Sequence, residues 1–143
     1  MNAPIKTAYS NEMILAKRAY DSAQLEDAFR HLERAHILGQ RYFSPHLTTH
    51  WWMLKVAIRR TDGNEIRGQI IRMIAVVPGF LFYWVPTGNT GGANVSALKP
   101  MPIPQDLAQT LQGFNVFRAV MSRAATWIMI AAATSGMLFA RGL

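Results

Sequence analysis

The sequence predicts an all-α protein: an antiparallel helical hairpin, a third helix, a long ordered loop rich in glycine and proline, and an apolar C-terminal helix. Apolar residues recur at helical spacing in the first half of the chain, and no segment alternates apolar and polar residues long enough to require a sheet. The length of 143 residues suits one domain with a single core. Because the chain has no cysteine, disulfides, thiolate metal sites and cysteine nucleophiles are excluded.

The first two predicted helices form the hairpin. Ser10 is expected to cap a first helix that runs to residue 37 or 38, where Gly39 ends it. Ser44 followed by Pro45 predicts the start of a second helix, which continues to about residue 60. Since the connection is short, the two helices should be antiparallel neighbours.

A third helix is predicted after a turn at residues 61–64, with Asn64 as its N-cap. Pro78 and Gly79 are expected to kink or end it. The loop at residues 86–104 is too rich in Gly, Pro, Asn and Ser to be helical, and a brief helix is expected from about Pro104. The apolar residues of the third helix that share one face are Ile66, Ile70, Met73, Ile74 and Val77.

The C-terminal part, residues 114–143, is expected to be an apolar helical extension of a domain at residues 1–113. Residues 124–140 carry no charge, and their number is at the lower limit for crossing a bilayer. Two interpretations stay open: a membrane-inserted helix, or a helix buried in the core or in an oligomer. The N-terminus lacks the apolar segment of a secretory signal, so we expect a cytoplasmic protein, with membrane association through the C-terminal helix as the alternative.

The net charge of +7 would suit a nucleic-acid or anionic-lipid partner. The basic residues are scattered, however, and no nucleic-acid-binding motif accompanies them, so we do not expect nucleic-acid binding. The apolar and aromatic C-terminal half instead favours a protein partner, a homo-oligomer or membrane contact.

All four histidines fall within residues 31–50. On the first helix, His36 lies near the middle of the apolar stripe and should point inward, whereas His31 should face solvent. Glu33 precedes His36 by three positions, which is the spacing by which helical bundles present a carboxylate and an imidazole to one metal ion. His46 and His50, four positions apart, share the buried arc of the second helix.

Because the hairpin connection is short, His36, His46, His50 and Glu33 should converge at one end of the bundle. Three imidazoles and a carboxylate suit a divalent transition metal such as zinc, cobalt, nickel, copper or iron. The alternative is that the histidines are hydrogen-bonded core residues.

The glycine-rich loop at residues 88–94 meets neither the Walker A pattern nor the dinucleotide-binding pattern. We interpret its glycines as residues that permit turns with positive φ in a loop packed on the bundle. Ser96 has no histidine or acid at a recognisable triad spacing, so no catalytic residue is predicted.

Three strings resemble a bacterial family known as domain of unknown function 3703, and the similarity covers about residues 10–112. They are LERAHILGQRY, HLTTHWWMLKVAIRR and VPTGNTGGANVSALKPMPIPQDL, of which the last is the most specific. The resemblance implies no activity, but it directs attention to His36, His46 and His50, to Glu33 and to residues 89–94, which match its recurring strings.

The function predicted from the sequence is a small non-enzymatic metal-binding or metal-handling protein, with His36, His46 and His50 as ligands and Glu33 as fourth ligand or outer partner. The alternative is a structural accessory subunit of a larger, membrane-bound or soluble, protein complex. A metal-dependent enzyme with bound water would need an open coordination position, which a sequence does not show.

Overall fold

A computed structural model of the chain describes residues 1–82, 85–112, 129, 133 and 134. This part of the chain is helical and contains no strand, which confirms the all-α prediction. Its helices are α1 (Ala3–Asp21), α2 (Leu25–Gly39), α3 (Phe43–Arg59), α4 (Gly63–Leu81) and α5 (Gln105–Thr110).

The single long first helix of the prediction is wrong, because the chain reverses between α1 and α2. Ala23 takes a left-handed conformation with φ 60°, and the backbone N–H of Gln24 donates to the carbonyl of Ala19 at 2.8 Å. This left-handed residue ends α1 at a position that is usually occupied by glycine. The start of α1 also differs: its N-cap is Asn2, whose side chain accepts from the N–H of Ile5 at 3.2 Å, and not Ser10.

The hairpin itself is formed by α2 and α3, which pack against each other and are joined by residues 40–42. As predicted, α2 ends at Gly39. A Cβ atom at this glycine would lie 2.9 Å from the ring of Tyr9, so the lack of a side chain lets α1 approach. The expected cap of α3 is wrong by two residues, since Tyr42 occupies the N-cap position without a side-chain hydrogen bond.

The main core lies between α1, α2 and α3, and a second cluster joins α5 to the same bundle. Leu32 and Met53 are fully buried in the main core, and each such side chain contributes about 1.5–3 kcal/mol on removal from water. In the second cluster, Ile37 packs with Leu107 of α5. The start of α5 after Pro104 agrees with the prediction.

Helix α4 has the opposite orientation to that suggested by its apolar residues. The apolar face that includes Ile70 and Ile74 is exposed, whereas the polar residues Glu65 and Gln69 are buried. The N-cap is Asp62, whose side chain accepts from the N–H of Glu65, and not Asn64. Pro78 does not end the helix, since a proline so near the C-terminus removes only one of its last backbone bonds.

Residues 86–104 form the expected ordered loop without helix or strand. Gly88 and Gly91 have φ values of +74° and +83°, which confirms the interpretation of the glycine-rich string. The predicted boundary at residue 113 and the apolar helix at 124–140 fall, apart from positions 129, 133 and 134, outside the described residues. Within the described part, no helix combines the length and apolar character needed to cross a bilayer.

Candidate metal centre

Three histidines meet at the closed end of the α2–α3 hairpin. His36 lies in the last turn of α2, and His46 and His50 lie in the first two turns of α3. The side chains of His36 and His50 are only 3% and 2% exposed, and His46 is half-buried. The predicted convergence of these three residues is confirmed, since one coordinating atom from each lies within 4.8 Å of the others.

The spacing of the ring nitrogens is that of a chelating group. Nε2 of His50 lies 3.2 Å from Nε2 of His36 and 3.1 Å from Nε2 of His46. Nitrogens bound at the usual 2.0–2.1 Å to one tetrahedral metal ion lie about 3.3 Å apart, and at right angles about 2.9 Å. Both distances from His50 fall between these values, so His50 is spaced from His36 and from His46 as ligands of one metal ion are.

The tautomer of His36 follows from its backbone partner. Nδ1 of His36 lies 2.8 Å from the carbonyl oxygen of Asn89 in the glycine-rich loop. Because a carbonyl oxygen can only accept, Nδ1 carries the proton and donates it. In the neutral ring, Nε2 of His36 therefore presents a lone pair to the other two histidines.

The tautomer of His50 is set in the same way by Gln69 of α4. Nε2 of Gln69 donates to Oε1 of Glu65 at 2.5 Å and to the carbonyl of Gly91 at 2.9 Å. The Gln69 amide is thus oriented with Oε1 toward His50, where it accepts from Nδ1 at 2.6 Å. Nε2 of His50 is consequently a second lone pair directed into the cluster.

Three nitrogens therefore converge with at most one proton among them, contributed by neutral His46. Its N–H can satisfy one lone pair, but the contact between Nε2 of His36 and Nε2 of His50 still joins two acceptors. A cation placed between them removes this repulsion. The arrangement is thus better suited to a metal ion than to a closed set of hydrogen bonds.

The three rings are neutral at pH 7 because burial disfavours the imidazolium form. Burial, followed by the charge of His50, lowers the pKa of His46 to about 3. Burial lowers the pKa of His50 to about 4 against the opposing effect of the Gln69 hydrogen bond. Burial and the neighbouring histidines also lower the pKa of His36 well below 6.5. Neutral imidazole is the form that binds metals, so protons do not compete near neutrality.

Outside the ligand cluster, a buried carboxylate supports Gln69. Glu65 accepts the backbone N–H of Ala93 at 3.0 Å and 2.9 Å through its two oxygens, besides accepting from Gln69. A continuous chain of hydrogen bonds thus runs from Glu65 through Gln69 to His50. Such outer partners hold metal-binding imidazoles in place and raise their basicity.

The loop reaches the histidines because Gly91 has no side chain. A Cβ atom at Gly91 would lie 2.7 Å and 2.8 Å from two ring carbons of His36 and 2.9 Å from its Nε2. The positive φ of this residue adds a second reason for glycine. The glycine-rich string is therefore a backbone wall of the site.

Glu33 and His31, which lie near the three histidines in the sequence, lie apart from them in the structure. Glu33 is not part of the group of mutually close ligand atoms; it lies beside Thr90 and Gly92. Burial raises its pKa, and the Thr90 hydroxyl opposes this effect. His31 pairs with Glu12 at 2.7 Å and retains 21% side-chain exposure, so it is less exposed than predicted.

A cavity of about 370 Å³ opens beside the triad, and the three imidazoles form part of its wall. Arg72 of α4 also lines it and donates to the carbonyl of Val95 at 2.6 Å. Burial lowers the pKa of Arg72, with Glu65 acting in the opposite direction, but a guanidinium stays charged. The remaining wall is largely apolar and includes Val76, Pro78, Phe82, Val85, Pro86 and Leu98.

Sequence reasoning missed Glu65, Gln69 and Arg72. Their spacing of four and three residues places them on one face of α4. That polar face, opposite a largely apolar one, is the signal that could have identified them. It was overlooked because an apolar face is normally the buried one.

The fold and site define a small all-α protein with a buried three-histidine centre. The chain belongs to the family described as Protein of unknown function (DUF3703), which matches residues 3–111 and confirms the resemblance seen in the sequence. No match was found among curated proteins or solved structures. The function is therefore argued from the geometry of the site.

Proposed function

We propose that this protein binds one divalent transition-metal ion through Nε2 of His36, His46 and His50, as a metal-binding or metal-handling module. One observation carries the proposal: Nε2 of His36 and Nε2 of His50 lie 3.2 Å apart, and each presents a lone pair to the other. Both tautomers are set by acceptors at Nδ1, so the apo site holds a repulsion that a metal ion relieves.

The donor set supports a borderline metal. Three neutral imidazoles suit zinc, cobalt, nickel, copper and iron, whereas calcium and magnesium require oxygen ligands. Glu33 is a candidate for an outer role near the loop rather than for the fourth ligand position, because it lies beside Thr90 and not within the ligand cluster. Three protein ligands would leave a fourth position on a tetrahedral ion, and the three imidazoles line the cavity from which a fourth ligand could come.

Elemental analysis of the purified full-length chain tests the proposal. We expect about one transition-metal ion per chain in the wild type, after incubation with zinc if necessary. The double variant His46→Ala/His50→Ala should lose the metal, whereas the matched control His31→Ala should keep it. Circular dichroism verifies that each variant is folded.

A metal-dependent change in stability provides a second readout that does not depend on purification history. Zinc at about 100 times its dissociation constant should stabilise the wild type by about 2.7 kcal/mol and leave the double variant unchanged. The proposal would be overturned if elemental analysis finds no metal in the wild type and none of zinc, cobalt, nickel, copper and ferrous ion stabilises it.

A second candidate function, an accessory subunit of a larger complex, is favoured by one observation. The outer face of α4 exposes large apolar side chains, with Ile71 66%, Ile74 70% and Phe82 79% exposed. Contiguous apolar surface is typical of contact with a protein or a membrane. If the full chain is monomeric without detergent in metal-free buffer, this candidate loses its support.

A further inference from the structure

The cavity beside the histidines has the character of a binding site for a small organic molecule. Its volume of about 370 Å³ lies at the lower end of the range of about 300–1,000 Å³ in which proteins bind such ligands. Its apolar wall is formed mostly by the last turns of α4 and by the loop, through Val76, Phe82 and Leu98 among others. An apolar wall favours a ligand with a hydrocarbon body.

The charged end of the cavity is distinct from this wall. Arg72 lines the cavity together with the three histidines, and its guanidinium donates to the carbonyl oxygens of Gly68 and Val95. Within the described part of the chain it forms no ion pair with a carboxylate. A half-buried guanidinium with only neutral acceptors is suited to a carboxylate, which it can bind through two N–H groups.

We propose that the cavity binds a small apolar carboxylate, with one carboxylate oxygen on the metal ion and the carboxylate paired to Arg72. The inference rests on the proposed metal site, because the three histidines proposed as ligands line this cavity. An anion is favoured over a neutral ligand, since the metal ion and Arg72 bring positive charge to one end of the cavity. The hydrocarbon body then lies against the apolar wall.

The experiment uses the full chain loaded with cobalt(II), whose visible absorption reports its ligands. Hexanoate is the probe, and acetate and hexanamide are the matched controls that lack the hydrocarbon body and the charge, respectively. We expect hexanoate to change the cobalt spectrum with saturation, at a concentration at least about tenfold below that needed for acetate. Hexanamide should leave the spectrum unchanged over the same range.

Two variants test the two parts of the cavity separately. Arg72→Gln should weaken hexanoate binding by at least about tenfold, as expected for loss of a charged hydrogen-bonded partner, while cobalt stays bound. The exposed Arg67 on the same helix supplies the control Arg67→Gln, which should bind hexanoate normally. Ala75→Phe fills the cavity from a position exposed on α4, so it should abolish hexanoate binding without compressing the core.

Each failure has a distinct signature. If cobalt produces no visible band before any acid is added, and zinc, nickel, copper and ferrous ion give no stabilisation either, the metal site itself is refuted, and this inference with it. If the cobalt band is normal but hexanoate does not alter it, or if acetate or hexanamide acts at the same concentration, this inference alone is overturned. Unchanged hexanoate affinity in Arg72→Gln would likewise overturn the assignment of the carboxylate to this end of the cavity.

Discussion

The most informative perturbation of this site is Gln69→Leu, which changes no ligand. Gln69 is fully buried and makes three hydrogen bonds, to His50 at 2.6 Å, to Glu65 at 2.5 Å and to the Gly91 carbonyl at 2.9 Å. Leucine has similar volume but no polar atom. The variant therefore removes the acceptor that sets the tautomer of His50 while it keeps the packing of α4.

The structure sets the magnitude of the effect. The Nδ1–H of His50 becomes a buried donor without a partner, which costs about 1–3 kcal/mol. Glu65 keeps both hydrogen bonds from the backbone N–H of Ala93, so the loss of its bond from Gln69 costs less. We expect the apo protein to lose about 2–4 kcal/mol of unfolding free energy. Loss of the partner that orients a metal-binding imidazole should weaken metal affinity by about 10–100-fold.

Zinc titration against a chromophoric chelator measures the affinity, and urea denaturation of the apo protein measures the stability. Gln109→Leu, at an exposed glutamine of α5, is the matched control and should change neither quantity appreciably. Gln69→Glu restores an acceptor for His50 but places a second carboxylate beside Glu65. It should therefore recover metal affinity toward the wild-type value while remaining less stable.

These variants separate a role of Gln69 in the fold from a role in setting the tautomer of His50. If Gln69→Leu is destabilised but binds zinc as tightly as the wild type, Gln69 supports the fold and does not prepare His50 for a metal. Equal loss of affinity in the Leu and Glu variants would lead to the same conclusion, since only one of them retains the acceptor.

The remaining predictions concern pH, the loop and a helix cap. The pKa of His50 is near 6.5 in the unfolded chain but about 4 in the folded one. The free energy of unfolding of the apo protein should therefore fall as the pH drops below about 6.5, by about 3 kcal/mol from this residue. Urea denaturation at several pH values measures this fall, which would be absent if the ring were solvated. Gly91→Ala should lower zinc affinity at least about tenfold, because its Cβ atom would lie 2.7 Å from the ring of His36. The control Gly63→Ala, where a Cβ atom meets nothing within 4 Å, should bind zinc normally. Equal zinc affinities of the two variants would contradict this prediction. Asp62→Ala removes the side-chain cap of α4, so thermal denaturation should show that it loses about 1 kcal/mol of unfolding free energy. The control Asn64→Ala should be nearly neutral. An equal loss in both variants would contradict the assignment of Asp62 as the N-cap.

The helical class and the hairpin were predictable because they depend on local patterns. The stripe through Leu32 and His36 and the short connection after Gly39 are contained in a few consecutive turns of chain. The meeting of His36 with His50 follows from the same facts, because residues close to a tight hairpin connection must lie side by side.

The reversal between α1 and α2 was not predictable in this way. Ala23 adopts φ 60° without the glycine or asparagine that usually marks a left-handed residue. Its cost of about 1–2 kcal/mol is offset by the packing of α1 on α2, in which Met13 and Ala16 join the core of Phe29 and Leu32. Packing between distant residues decided the break, and local propensity could not show it.

The meeting of the three histidines was determined by the sequence, whereas their chemical state was decided by the tertiary structure. The spacing of His46 and His50 on one helix, opposite His36 across a short connection, brings three imidazoles together. Which nitrogen of each ring is free depends on the Asn89 carbonyl and on Gln69, and these reach the site only when the loop and α4 fold over the hairpin. Hydrogen bonds between residues 53 and 19 positions apart have no local sequence pattern, and for that physical reason only the folded chain shows which ring nitrogens are free.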